Sequence, residues 1–401
     1  MQLHTPQTYS LLSSGSVPRY APLSQDIDAE VLVIGTGISG ALTAWKLQEA
    51  GFSCTLIDRR EAATGSTAAS TSLLQYEIDT PLCTLSDQIG SKAADESYIL
   101  CHEAIDRLRQ VCVDAGTAPL FEPRHSVQWA SKPAHLKKLK EEAARRKALG
   151  IDVHLLGSDE LQRDYFLNKA GALFSSKAGQ IDAYRLTHTL LAGLEKSGAH
   201  IYAHTEAAHI EWKTKGVTVQ TTAGNRIRAR RLVIACGYES QRYLPKAVEE
   251  LYVTYVMLTE PLAPEYFWKE RALLWETARP YLYVRTTPDD RIIVGGRDDH
   301  WDGRPGFAKL PKKADGLEAD LRALMPELGF RRAYSWAGIF AGTKDGLPYI
   351  GKFPGQPHTA YALGFGGNGI LFSVLAADII TAAFNGKKTR GSDLFSFNRI
   401  K

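Results

Sequence analysis

Residues 31–58 read VLVIGTGISGALTAWKLQEAGFSCTLID, and this stretch decides the fold. Val31 to Ile34 is a continuous apolar, β-branched-rich run, the pattern of a strand buried on both faces. Gly35-Thr36-Gly37-Ile38-Ser39-Gly40 follows at once. A helical pattern with Ile38, Ala41, Leu42 and Trp45 on one face then runs to Gly51. A second apolar strand, residues 54–57, ends at Asp58, 23 residues after Gly35. A GxGxxG alone is weak, but strand, glycine turn, helix, strand and acid in this order make a dinucleotide-binding βαβ unit. Gly35 permits the tight turn, Gly37 lets the backbone approach a pyrophosphate, and Gly40 lets the helix pack on the strand. The helix start offers free N–H groups to phosphates, and Asp58 is positioned to accept ribose hydroxyls.

Outward from this unit, residues 1–27 read as an irregular arm broken by Pro6, Pro18 and Pro22. Helical spacing covers about residues 94–115, and residues 134–149 form a charged helix stopped at Gly150. Its lysines and arginines are interleaved with Glu141 and Glu142, as on a solvated face. From His200 the period shifts to two, predicting short antiparallel strands that lead into a buried strand at residues 232–237. Paired strands are expected again over residues 281–296, and a glycine-rich strand, loop and apolar helix over residues 334–385. An NAD dehydrogenase would continue with more βα units; this chain leaves for helices and returns with antiparallel strands.

The remaining composition narrows the classes. The chain has 401 residues and a formal charge of +4, with no concentrated basic stripe, which argues against nucleic-acid binding. Its five cysteines form no CxxC pair, so a disulfide scaffold or cysteine zinc site is not expected and a reducing, cytoplasmic setting fits best. The eleven histidines show no HxH or HExxH spacing, and no metal is expected. No stretch is expected to span a bilayer, although peripheral membrane contact stays open.

From about residue 28 to 390 the chain resembles the FAD-dependent oxidoreductases of the D-amino acid oxidase superfamily, in its glycine, sarcosine and gamma-glutamylputrescine oxidase-like branch. Six segments carry the likeness. Beyond the βαβ unit and Arg59-Arg60, these begin with the small-residue loop at residues 63–72, in which Gly65, Ser66, Thr67, Ala68, Ser70, Thr71 and Ser72 would pass the pyrophosphate and flavin. Residues 180–186 resemble the return to the cofactor domain. Residues 231–237, with Ala235, Cys236 and Gly237, resemble the strand running to the adenosine, where Glu206 and Ala207 would lie. Residues 279–298 resemble the sheet covering the flavin. Gly338, Asp345 and the run Gly366-Gly367-Asn368-Gly369-Ile370 resemble the closing flavin clamp, with a helix start aimed at the flavin O2 side.

The resemblance implies an α/β (mixed α+β) architecture: a Rossmann-like FAD-binding domain from residues 28–84, 179–243 and 331–391, interleaved with a substrate domain from residues 85–178 and 244–330 on a mostly antiparallel sheet. Residues 392–401 would be a tail. It implies oxidation of the C–N bond of an amino acid or amine by hydride transfer to flavin N5, with O2, a quinone or another carrier as acceptor. Oxidation of a hydroxyl carbon, or a flavin-binding subunit without turnover, are the alternatives. FAD is expected to be non-covalent, because residues 339–343 hold no cysteine and residues 63–72 no histidine. Ile293 stands where some relatives carry an oxygen-activating lysine, so O2 is expected to be a poor acceptor. Tyr283 and Arg285, two apart on a strand, face one side, where Arg285 could grip a carboxylate. Tyr255, Trp336 and Lys344 are further candidates at the reacting end.

Overall fold

The computed structural model describes residues 1–303 and 307–399. Two sheets face one another across a long cavity. The first has eight strands, and its core is parallel: Thr359–Leu363, Arg226–Ile234, Ile27–Ile34, Cys54–Ile57 and His200–Tyr202 lie side by side in that order. Ile34 pairs with both Ile57 and Ile234, which brings three strand ends together beneath the glycine turn. Where they are buried on both faces, at residues 31–34, 54–57, 232–234 and 359–363, the strands are almost wholly apolar, hence the unbroken runs in the sequence. The hairpin Ala207–Lys213 and Gly216–Thr221 adds antiparallel strands to Arg226–Ile234.

The helices Ile38–Glu49, Ala183–Lys196 and Gly369–Phe384 cover one face of this sheet. Residues 366–384 are long and apolar enough to cross a membrane by length and composition, which corrects the expectation that no stretch qualifies. In the fold this segment is a core helix: Leu371, Phe372, Leu375, Ala376 and Ile380 are buried within the main hydrophobic cluster.

The second sheet has nine strands and one parallel pairing, between Leu273–Glu276 and Phe121–Trp129; its other pairings are antiparallel. Its central order is Arg332–Gly342, Glu250–Thr259, Ile292–His300, Tyr283–Thr286, Leu273–Glu276. Arg332–Gly342 therefore belongs to this sheet, whereas the sequence reading grouped residues 331–391 with the cofactor domain. Short strand Leu73–Gln75 joins it as well, through Gly171–Ile181. The outer face of this sheet buries Val253, Tyr255, Met257, Val284, Val294 and Ile339 against helix Leu310–Leu324, which contributes Leu317 and Leu321. The inner face carries Thr254, Tyr283, Gly295 and Gly338 and looks into the cavity.

Candidate active site

The cavity is elongated, about 1930 Å³ including its open mouth, and both sheets contribute to it. Its first part is the glycine turn. Gly35 has φ +115°, and a Cβ there would lie 2.4 Å from the Ala235 carbonyl oxygen. A Cβ on Gly40 would lie 1.9 Å from the Gly35 carbonyl oxygen, so only glycine lets helix Ile38–Glu49 start this close to the strand. That helix begins with no side-chain cap, leaving first-turn N–H groups at the cavity wall. One of them, on Ile38, donates to Thr67 Oγ1 at 3.0 Å. Gly35, Gly37, Ile38 and Ser39 line the cavity, while Gly40 and Thr36 stand behind it.

Thr36 is buried and holds the acid in place. Asp58 Oδ2 accepts the Thr36 N–H at 2.8 Å and its hydroxyl at 3.1 Å; Oδ1 accepts the Arg60 N–H at 2.9 Å. Burial raises the Asp58 pKa, and these bonds oppose the rise. Beyond it lie Arg59, Arg60, Glu206, Ala207, Ala235, Cys236 and Gly237. The cations here are paired: Arg60 with Glu239 at 2.7 Å and Arg242 with Glu206 at 2.8 Å. Burial pushes the Cys236 thiol up to about 12, so it is a packed side chain rather than a nucleophile.

From the glycine turn the cavity continues along Gly65, Ser66, Thr67, Ser70, Thr71 and Ser72 toward Gly338 and residues 366–370. Ala68 faces away and packs with Ala63 and Tyr184. The Gly367 N–H, expected to face the flavin, donates to Asp79 Oδ2 at 2.8 Å. Asn368 Nδ2 donates to the carbonyls of Gln75 and Glu77 at 2.7 and 2.9 Å. Asp79 thus caps the turn before helix Gly369–Phe384.

The far end is aromatic. Tyr283, Tyr281 and Trp275 line it, with the Tyr281 ring 5.9 Å from each of the other two. Tyr281 Oη donates to Asp79 Oδ1 at 3.0 Å. Burial pushes the Tyr283 phenol up to about 12, and its oxygen lies 3.5 Å from Thr254 Oγ1. Asp298 also faces this end, with Oδ1 buried and without a hydrogen-bond partner.

Four of the five candidates for the reacting end are not at the cavity wall. Tyr255 is on the outer face of its strand, its hydroxyl bonded to Asp299 at 3.1 Å; its neighbour Thr254 is the residue facing inward. Arg285 shares the face of Tyr283, but the loop at residues 66–72 closes over that end of the sheet. The Arg285 guanidinium is buried there, donating to the carbonyls of Thr71 and Thr286, and burial lowers its pKa to about 10. Trp336 lies under the same loop, its Nε1 donating to the Ala69 carbonyl at 3.0 Å, with Ile293 beside it. Lys344 is exposed on a turn, and Asp345 holds that turn by accepting the Leu347 N–H at 3.1 Å and pairing with Arg399 at 2.7 Å.

Sequence reasoning missed Trp275, Tyr281, Asp298 and Asp79 as site residues. Two of these had a signal: Tyr281 precedes Tyr283 by two, and Asp298 follows the double glycine by two. Asp79 sits in residues 75–79, QYEID, which no local pattern connects to the sheet opposite. Among the described residues no group of three or more His, Cys, Asp or Glu is arranged to hold a metal ion.

The side-chain-free cradle at Gly35, Gly37 and Gly40, the open helix start and the buried acid at Asp58 fit a dinucleotide, and the length of the cavity beyond fits the rings of a flavin. This fold and site define a dinucleotide-dependent oxidoreductase. The sequence pattern of the FAD-dependent oxidoreductase family, DAO, matches residues 30–383, and the chain belongs to that family, so its cofactor is FAD. It is 25% identical over 384 residues to a glycine oxidase of Pseudomonas aeruginosa, covering 89% of this chain and 95% of that protein. It is 23% identical over 410 residues to the gamma-glutamylputrescine oxidoreductase of Escherichia coli, covering 97% and 91%. The glycine oxidase structure from Geobacillus kaustophilus superposes with a TM-score of 0.77 at 20% identity, over 93% of this chain and 99% of that one.

Proposed function

We propose that the protein oxidises the C–N bond of an amine or amino acid, with FAD as the immediate electron acceptor. The observation that carries this reading is one continuous cavity, joining the glycine cradle to an aromatic end lined by Trp275, Tyr281 and Tyr283. When bound, FAD supplies a two-electron acceptor for hydride from the substrate C–H next to nitrogen. The nitrogen lone pair closes the C=N bond as the hydride leaves, and water hydrolyses the resulting iminium to a carbonyl and an amine. The chain's own residues position and shield. Gly65 to Ser72 and Gly338 wall the ring end, and Tyr281, held by Asp79, and Tyr283 confine the substrate and exclude water. No paired acid and base is required when the reacting nitrogen is neutral. Ile293, buried under Trp336, supports a quinone or carrier rather than O2 as the final acceptor. The free cysteines support a reducing, cytoplasmic setting.

The test is an anaerobic visible spectrum of the holoenzyme before and after adding amino acids, N-methyl amino acids or polyamines. Bleaching of the flavin band by one of these pools is the expected result. Bleaching by 2-hydroxy acids or polyol phosphates with none by amines overturns the reading, as does a band that no compound changes.

A further inference from the structure

The substrate end of the cavity has an unbalanced charge. Asp79 is committed, accepting bonds from Tyr281 Oη and the Gly367 N–H. Glu77, buried at the wall, lies 3.7 Å from Arg146, which also pairs with Glu142 at 2.9 Å. Asp298 Oδ1, like Glu77 Oε2, is buried without a hydrogen-bond partner, and the Asp298 side chain lines the aromatic end of the cavity beside Thr254. Lys313, nearby, is taken up by Asp299 at 2.8 Å and by the Arg297 carbonyl at 2.6 Å. A carboxylate oxygen left without a hydrogen bond beside a binding cavity is stabilised by a ligand that brings a cation.

The surroundings agree. The rings of Tyr281, Tyr283 and Trp275 line the same end and present faces and edges that suit an alkylammonium. Among the described residues that line the cavity, no cation stands at this end. Arg59, Arg60 and Arg242 line the opposite end and are paired with Glu239 and Glu206. Arg285 is turned under the loop at Thr71. Arg279 is exposed, stacks over Tyr281 with its guanidinium 4.6 Å from the ring centre, and donates to the Asp79 carbonyl.

We propose that the substrate is an organic cation: an amine carrying a second, protonated nitrogen, which Asp298 holds against the rings of Tyr281, Tyr283 and Trp275. This rests on the amine reading above and specifies it. The second nitrogen is a handle and does not react. The first, neutral, is oxidised, and no carboxylate is needed for recognition.

The test has a readout independent of turnover. Holoenzyme is titrated anaerobically at pH 8 with diaminobutane, butylamine, butanoate and glycine, following the perturbation of the flavin spectrum. Diaminobutane is expected to bind about tenfold tighter than butylamine, and the two carboxylates weakly or not at all. Asp298→Asn is expected to weaken diaminobutane binding about tenfold with FAD content unchanged. Butanoate or glycine binding as tightly as diaminobutane overturns the proposal, and this comparison needs no variant. Equal diaminobutane affinity in a folded, FAD-replete Asp298→Asn protein also overturns it. The two readings fail separately. Bleaching by glycine with no diaminobutane binding leaves amine oxidation standing and removes the cation handle. Tight diaminobutane binding, with bleaching by 2-hydroxy acids alone, keeps the cation site and removes amine oxidation.

Discussion

Gly295→Ala isolates the wall of the reacting end from the cofactor cradle. Gly295 pairs directly with Tyr283 across the sheet, and the Tyr283 ring lies over it. A Cβ at Gly295 would sit 2.1 Å from Tyr283 Cζ, 2.2 Å from Oη and 2.4 Å from Cε2. Carbon atoms rest about 3.5–4.0 Å apart, so the ring must move by about 1.5 Å. Tyr281 stands 5.9 Å away on the cavity side, so the displaced ring intrudes on the space left for substrate. Overpacking of this kind costs about 1–3 kcal/mol, and the low end applies because a ring tip moves rather than backbone. The effect on chemistry is larger, since a misplacement of about 1 Å costs about a hundredfold in rate. The glycine cradle is built by the other sheet and is untouched. FAD content by absorbance should match the parent protein, and thermal unfolding should fall by only a few degrees. The anaerobic rate constant for flavin reduction should drop about a hundredfold. Reduction at the parent rate, or loss of FAD, refutes the placement of Tyr283. Tyr283→Phe keeps the ring and removes a hydroxyl 3.5 Å from Thr254, so it should slow reduction less than about tenfold.

Gly40→Ala forces the first helix off the glycine turn, because its Cβ falls 1.9 Å from the Gly35 oxygen. Fluorescence titration of apoprotein should give an FAD affinity at least about tenfold weaker, with the added melting stabilisation by FAD reduced accordingly. Arg285→Gln removes a buried anchor of the loop at Thr71, so calorimetry should show a stability loss of about 1–3 kcal/mol. The KM ratio between amines with and without a carboxylate should stay constant; a selective rise for the carboxylate-bearing ones would restore Arg285 as a substrate clamp. Burial pushes Asp298 up to about 6, with Asp79 raising it and Thr254, Lys313 and Arg279 lowering it; Tyr255, Tyr281 and Tyr283 are neutral neighbours near pH 6. Its carboxylate form therefore grows from about a tenth at pH 5 to about nine tenths at pH 7, while an alkylammonium stays protonated. Diaminobutane affinity, measured by flavin perturbation, should rise across that window, and a flat profile would count against Asp298 as the counter-ion.

The cofactor end was legible because it is local. Val31 to Asp58 contains the strand, turn, helix and acid in one segment, and Gly35 and Gly40 there answer to contacts within the same unit or its neighbouring strand. The reacting end was only half legible. Period-two reasoning put Tyr283 and Arg285 on one face, and the structure agrees, but the loop at residues 66–72 covers one and leaves the other at the cavity. Tyr255 and Thr254 are adjacent in sequence and opposite in space; nothing in their strand marks which face meets the cavity until helix Leu310–Leu324 is packed on the other.

The sequence by itself determined the parallel core, the dinucleotide cradle and the family, because these follow from hydrophobic period and from glycines constrained by near neighbours. Only the tertiary structure decided the chemistry of the substrate end. Asp79 comes from a segment far from the stretch of paired strands that carries Tyr281 and Asp298, and whether a carboxylate oxygen is partnered depends on which donors the fold brings within about 3 Å. That is a property of packing between two sheets, and no local pattern in the chain encodes it.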